Sequence, residues 1–294
     1  MTQPTTYRVA HETRYEYSDT IAIARQLAHL KPREIAWQKV RTHRLDIDPA
    51  PTERTEGVDY FGNAVVRFAV ETPHDVLTVN ARSLIEVADH APDPHQGALP
   101  WEAARGTPGV WGPHLDLNVE QYRLASPMTP ILPESAAYAL ESFGAGRSWL
   151  EAMLDLTERI HTDFIYDPKA TTVTTQVAEV LRERRGVCQD FAHLMISCLR
   201  SLGLSARYVS GYVVNRASAE KRRMAGADAS HAWVSAHCPG LGWVDYDPTN
   251  GKQANLEFIT LGWGREFSDV SPLRGVVLGT GTQTLTVAVN VRQV

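Results

Sequence analysis

Polar and apolar positions alternate at the front of the chain. Tyr7, Val9, His11, Thr13, Tyr15 and Tyr17 fall on one side, with Arg8, Glu12, Arg14 and Glu16 on the other. A period of two marks a strand with one face buried. Further strand-like runs cover 21–30, 39–47, 64–70 and 76–87, separated by the turn signals Lys31-Pro32, Asp48-Pro49 and Gly62-Asn63. Short strands, turns between them and no helical period predict an antiparallel β-sandwich domain over residues 1–92.

The next stretch, 93–133, breaks the pattern. Proline at 92, just ahead of it, and at 94, 100, 108, 113, 127, 130 and 133 within it accounts for eight of the chain's 17. Such density removes ladder donors and stops helices, so a connecting segment is expected. Trp101 and Trp111 within it predict packing on a surface. Beyond it the period becomes helical. Leu150, Met153, Leu154, Ile160 and Phe164 share one helix face, and 173–181 reads as a second, shorter helix. After the break Arg184-Arg185-Gly186-Val187, the residues Phe191, Met195, Cys198 and Leu202 continue the stripe that Cys188 begins, with Gly203 as the stop. Strand patterns return at 205–214, 230–237, 243–246 and 284–291. Residues 134–294 are therefore expected to form one α+β unit that includes the final strand.

Composition narrows the function classes. The 294 residues are 43% hydrophobic and 21% charged, enough for a core and a wetted surface. A net charge of -5 gives no global attraction to nucleic acid or to an anionic membrane. No apolar run approaches the roughly 18 residues of a membrane span, and no leader pattern opens the chain, so a cytoplasmic location is expected. Three cysteines without C-x-x-C spacing argue against a disulfide framework and against a zinc knuckle.

Among those cysteines, Cys188 stands apart because it opens a helix two residues after a glycine. Free amides and the positive end of the helix dipole favour an anion there, and the thiolate is the reactive form of cysteine. Gly186 is expected to leave room for a substrate beside the sulfur. Cys198 lies mid-stripe and reads as a small core residue, and Cys238, in a Cys-Pro-Gly turn, as structural. A thiol nucleophile needs a base and a third group that fixes the base's tautomer. His231 opens the strand His-Ala-Trp-Val, and a hairpin through Pro239-Gly240-Leu241-Gly242 would bring Asp245 or Asp247 beside it. The two aspartates share a face of a regular strand, so spacing does not choose between them.

Four blocks then carry a resemblance: Gly-Val-Cys-Gln-Asp-Phe-Ala-His (186–193), Leu-Gly-Leu-Ser-Ala-Arg-Tyr-Val-Ser-Gly-Tyr (202–212), His-Ala-Trp-Val (231–234) and Gly-Trp-Val-Asp-Tyr-Asp-Pro-Thr-Asn (242–250). They resemble the bacterial transglutaminase-like superfamily. Residues 7–15, Leu30-Lys31-Pro32-Arg33 and Asp59-Tyr60-Phe61-Gly62-Asn63 are similar to the β-domain that precedes the core in those proteins, and 264–272 to their C-terminal signature. The resemblance implies a papain-like core with a Cys188, His231 and Asp247 triad, which decides against Asp245. It also implies thioester chemistry on a protein or peptide amide, without cofactor or metal. An aromatic residue ahead of the nucleophile helix is common in the family, which makes Tyr166 a candidate oxyanion donor, with a core tyrosine as the alternative. Gln189, Asp190 and His193 recur in the matched block and are expected to serve as helix-face hydrogen bonders.

Other readings stay open at this stage. The acyl acceptor is expected to be water, as in a cysteine peptidase or amidase; the alternative is an amine, as in transamidation of glutamine side chains. A metal site would draw on Cys188, His193, His231 and His237 or Cys238. Yet His231 and His237 stand about 20 Å apart by strand rise. A non-catalytic binding module on the same core is the remaining class. Residues 216–229, with Lys221-Arg222-Arg223, read as a solvated loop or as a lid over the cleft.

Overall fold

The computed structural model describes residues 3–93, 99–105, 116–214 and 230–294. Trp111 and the loop around Lys221-Arg222-Arg223 lie outside them.

Alternation produces the N-terminal strands where it is present: β1 (Thr5–Ile21), β2 (Ile23–Ala28), β3 (Gln38–Asp48), β5 (Ala64–Val70) and β6 (His74–Val87). Between β3 and β5 runs β4 (Glu53–Val58), exposed at all six positions, which carries no apolar period to betray it. After a 3-10 turn at Trp101–Ala104 and a short α1 (Leu117–Glu120) come α2 (Pro133–Leu140), α3 (Trp149–Asp163), β7 (Ile165–Tyr166), α4 (Val177–Glu183), β8 (Arg185–Gly186) and α5 (Cys188–Ser201). Then follow β9 (Ala206–Val213), β10 (His231–Cys238), β11 (Gly242–Asp247), β12 (Lys252–Gln253), β13 (Phe258–Gly264), α6 (Phe267–Val270), β14 (Leu273–Leu278) and β15 (Gln283–Gln293).

The architecture is a papain-like α+β core joined to a strand-rich N-terminal region. Helix α5 is the axis of the core: Phe191, Ala192, Leu194, Met195, Ile196, Cys198 and Leu199 are all buried. Asp190, His193, Ser197 and Arg200 are buried as well, so the helix is enclosed on every side. α2, α3 and α4 lie against it, as do β9 and β10 of an antiparallel sheet ordered β12-β11-β10-β9-β13. Along β10, Ala232, Val234, Ala236 and Cys238 enter the same hydrophobic cluster as α5, and the intervening Trp233 enters a separate one. Gly203 ends the helix at φ +80°, and the Leu204 amide closes back on Leu199 O at 2.9 Å.

Two expectations are corrected. The helix placed at 173–181 starts at Val177 instead. Thr172 and Thr175 bond to each other locally and hold that stretch in a turn. The C-terminal strands do not belong with the core. β15 runs antiparallel along β1 from Tyr7↔Gln293 to Tyr17↔Gln283, and β14 pairs with β2. The sandwich sheets are therefore β15-β1-β6-β3 and β14-β2-β5-β4. A period of two tells that one face of a strand is buried but not which strand it joins.

The sandwich is docked on the edge of the core sheet. β13 pairs with β9 on one side; on the other, two side-chain amides take the place of a strand. Gln38 donates to Thr260 O and accepts from Thr260 N, both at 2.8 Å. Asn63 does the same with Trp263 O (2.8 Å) and Trp263 N (2.9 Å). An open edge is thereby satisfied and covered. Tyr7, Val9, Ile85, Val87 and Val289 pack against Tyr212, Ile259 and Leu261 beside it. Among the described residues no helix is long and apolar enough to cross a membrane.

Candidate active site

Cys188 is the first residue of α5 and is partly exposed, whereas Cys198 and Cys238 are buried. Burial pushes the Cys198 thiol up to about 12 and the Cys238 thiol up to about 11, leaving both neutral. The front of α5 is held by Asp190. Its Oδ2 accepts from the Val187 amide at 2.8 Å and from Thr171 Oγ1 at 2.7 Å. This is half of a capping box, since Val187 has no side-chain acceptor to return the bond. Asp190 ties down the residue before the helix, and the first-turn amides, that of Cys188 among them, have no intrahelical partner. Gly186 serves a purpose other than the expected one. A Cβ there would stand 2.8 Å from Asp190 Cβ and 2.9 Å from Oδ2, so the glycine makes room for the cap and not for a substrate.

His231 opens β10, opposite Gly211 of β9. Its Nε2 lies 2.8 Å from Asp247 Oδ2, and the Cys188 thiol is near enough to the same imidazole to act on its protonation. With Nε2 engaged, Nδ1 is the nitrogen left for sulfur. Burial alone would lower the imidazole's affinity for a proton, but the Asp247 carboxylate and the thiol outweigh it and raise the His231 pKa to about 10. Trp233 is tilted 28° from the plane of the imidazole, ring centroids 6.3 Å apart. A side chain at Gly211 would collide with that indole, at 2.4 Å.

Asp247 ends β11 and is wholly inaccessible to solvent. Burial favours its neutral form, yet four donors reverse that. Oδ1 accepts from the amides of Thr249 (2.9 Å) and Asn250 (3.2 Å); Oδ2 accepts from His231 and from Asn250 Nδ2 (2.6 Å). Its pKa is lowered as a result. The turn that supplies these donors is fastened to α3, where His161 Nδ1 lies 2.8 Å from Thr249 O. Asp245 faces the same way but is spent elsewhere. Its Oδ2 accepts from Trp233 Nε1 at 3.2 Å, so it holds the indole that backs His231 and does not reach the imidazole.

The remaining candidates divide. Tyr166 is 52% exposed, its ring edge-on to Phe191, and burial with the nearby Cys188 and Asp190 raises its pKa. It borders the thiol. Gln189 Nε2 donates to Val173 O, and His193 Nε2 accepts from the Phe267 amide. Burial lowers His193 to about 4, so it remains a neutral acceptor. His237 sits at the far end of β10 against Trp243. Among the described residues no three His, Cys, Asp or Glu side chains converge as a ligand set. Sequence reasoning missed Asn250, Trp233, Thr171 and Tyr208. The last is a buried tyrosine of β9 near Cys188, packed by His193 and Phe267. Asn250 stood inside a matched block, so a signal existed; Thr171 had none.

Comparison with known proteins gives the family and the fold. Residues 7–86 match the bacterial transglutaminase-like N-terminal region, and residues 137–248 match the transglutaminase-like superfamily. An uncharacterized protein of Mycobacterium tuberculosis is 42% identical over 282 residues, 92% of this chain and 87% of its own. One from Mycobacterium leprae is 31% identical over 284 residues, 97% of each. A solved structure from Cytophaga hutchinsonii, described as that of a candidate cysteine protease, overlays with a TM-score of 0.76. It covers 99% of this chain and 91% of that one at 19% identity, a likeness of fold.

Proposed function

The chain belongs to the transglutaminase-like superfamily, and from that premise we propose that it is a thiol-dependent acyl-transfer enzyme cleaving peptide or isopeptide amides through Cys188, His231 and Asp247. The observation that carries this is the His231 imidazole, beside the Cys188 thiol, bonded to a buried, four-times-bonded carboxylate. The imidazole, whose affinity for a proton is raised by Asp247, takes the proton of the Cys188 thiol. Sulfur then attacks the amide carbonyl carbon, and the oxyanion meets the Cys188 backbone N–H at the helix start. Tyr166, bordering the thiol, is the proposed second donor. As the C–N bond breaks, His231 gives its proton to the departing amine and a thioester remains. Water attacks the thioester, His231 takes the water's proton, and the carboxylic product leaves as the C–S bond breaks. Asp247 keeps the imidazole in one tautomer and balances its charge throughout.

Iodoacetamide labelling with mass-spectrometric mapping tests the proposal. Cys188 is expected to react at least about tenfold faster than Cys198 and Cys238, because only a thiolate attacks and the other two are buried and neutral. Cleavage of peptides and isopeptides should vanish in Cys188→Ala. Equal, slow labelling of all three thiols would overturn the assignment. Trapping the acyl-enzyme and offering an amine in competition with water identifies the acceptor.

A further inference from the structure

The outer face of the sheet β14-β2-β5-β4 points away from the sandwich core and carries an unusual grouping of charge. The register places its side chains in two rows. One reads Val276, Arg25, Ala69, Glu53 across the four strands; the next reads Arg274, Leu27, Arg67, Thr55. These residues line a shallow groove of about 550 Å³. Three guanidiniums on neighbouring positions of one face repel one another, and Glu53 is the sole carboxylate in the two rows. Little within the molecule offsets them. Arg25 has only an exposed contact with Glu71 at 3.7 Å, and Arg274 donates to Ser268 O. Arg67 makes no hydrogen bond or ion pair among the described residues. On a chain of net charge -5 this is a local positive field around an apolar floor of Leu27 and the exposed Val276.

We propose that this groove is a docking site for an extended acidic segment of a protein partner, whose same-side carboxylates engage Arg25, Arg67 and Arg274. The spacing supports this occupant. The two rows lie two residues apart along the strands, about 7 Å, which is the repeat of same-side residues in an extended peptide. Guanidinium forks match carboxylates bidentately. A nucleic-acid strand would need aromatic faces on which to stack, and the groove's one aromatic residue, Phe68, is buried in the sandwich core. The groove shares no residue with the Cys188 site, so the proposal stands apart from the catalytic one.

The test is fluorescence anisotropy on the full chain with a labelled Glu-Leu-Glu-Leu-Glu-Leu-Glu peptide, run beside its Lys-Leu counterpart, inorganic phosphate and an oligothymidylate. The acidic peptide should bind saturably and lose affinity with added salt. The double variant Arg67→Glu/Arg274→Glu should weaken it by at least about tenfold through like-charge repulsion. Glu53→Lys should tighten it by about threefold, the scale of one exposed ion pair. All three positions are exposed, so Tm should stay unchanged and affinity changes of opposite sign cannot come from unfolding. Absence of saturable binding, or equal affinity in wild type and the double variant, would overturn the proposal. So would oligothymidylate or phosphate binding as tightly with the same sensitivity to the variants.

Discussion

The carboxylate of Asp247 shows how much the proposed triad depends on residues outside it. Asn250 supplies two of its donors, the backbone amide and Nδ2, the latter to the very oxygen that faces His231. Asn250→Ala removes the Nδ2 bond while burial continues to favour the neutral acid. The folded-state pKa of Asp247 must then rise. In the wild type this group's stabilisation is present above the ordinary carboxylate value of about 3.8 and is lost as pH falls through its lowered folded value. In the variant that loss should begin at a higher pH, moving the acid limb of both the pH–stability curve and the pH–rate profile upward. Lys252, opposite Asp247 on β12, is held by Glu257 at 2.8 Å, so it does not replace the lost donor. Denaturant titrations from pH 3 to pH 7 check the shift; superimposable limbs would refute it. The choice of Asp247 over Asp245 also belongs to this scale. Both were legible as candidates, and a hydrogen bond from Trp233 settles where Asp245 goes.

At the scale of elements, β1 and β6 announced themselves by alternation with one wetter face, whereas β9 and β10, buried on both faces, were carried by their motif blocks. β13, Phe-Ile-Thr-Leu-Gly-Trp-Gly, is buried along nearly all its length and has no period of two to show. The start of α5 was legible as a place for an anion, but what secures it was not. Asp190 and Gly186 act as one device: the carboxylate fits over Val187 because position 186 has no side chain. Gly186→Ala should push Asp190 off the Val187 amide and fray the first turn, lowering stability by about 1 kcal/mol, the usual worth of a cap. Labelling of Cys188 should slow together with the fall in Tm. Normal labelling in a less stable protein would separate the cap from the thiol's reactivity.

The whole molecule is one interleaved chain and not two beads on a string. β14 and β15 leave the core and complete both sandwich sheets, while Gln38 and Asn63 of the first region close the edge of the core sheet. Ending the chain after Pro272 strips one neighbour from β1 and one from β2 and uncovers Tyr15 and Tyr17. Calorimetry and near-ultraviolet circular dichroism should then show the sandwich's cooperative transition lost. An unchanged melting enthalpy would mean that the C-terminal strands are ornamental.

The sequence by itself determined the class of the core, the helix that presents Cys188, and the short list of partners for it. These rest on local periods and on motif blocks that a single element carries. Tertiary structure alone decided the pairing of β15 with β1, the bond that occupies Asp245 on Trp233, and the arginine-lined face of the outer sheet. Each depends on contacts between residues distant in the chain, and a period of two or of 3.6 records only which face of an element is buried, never what lies against it.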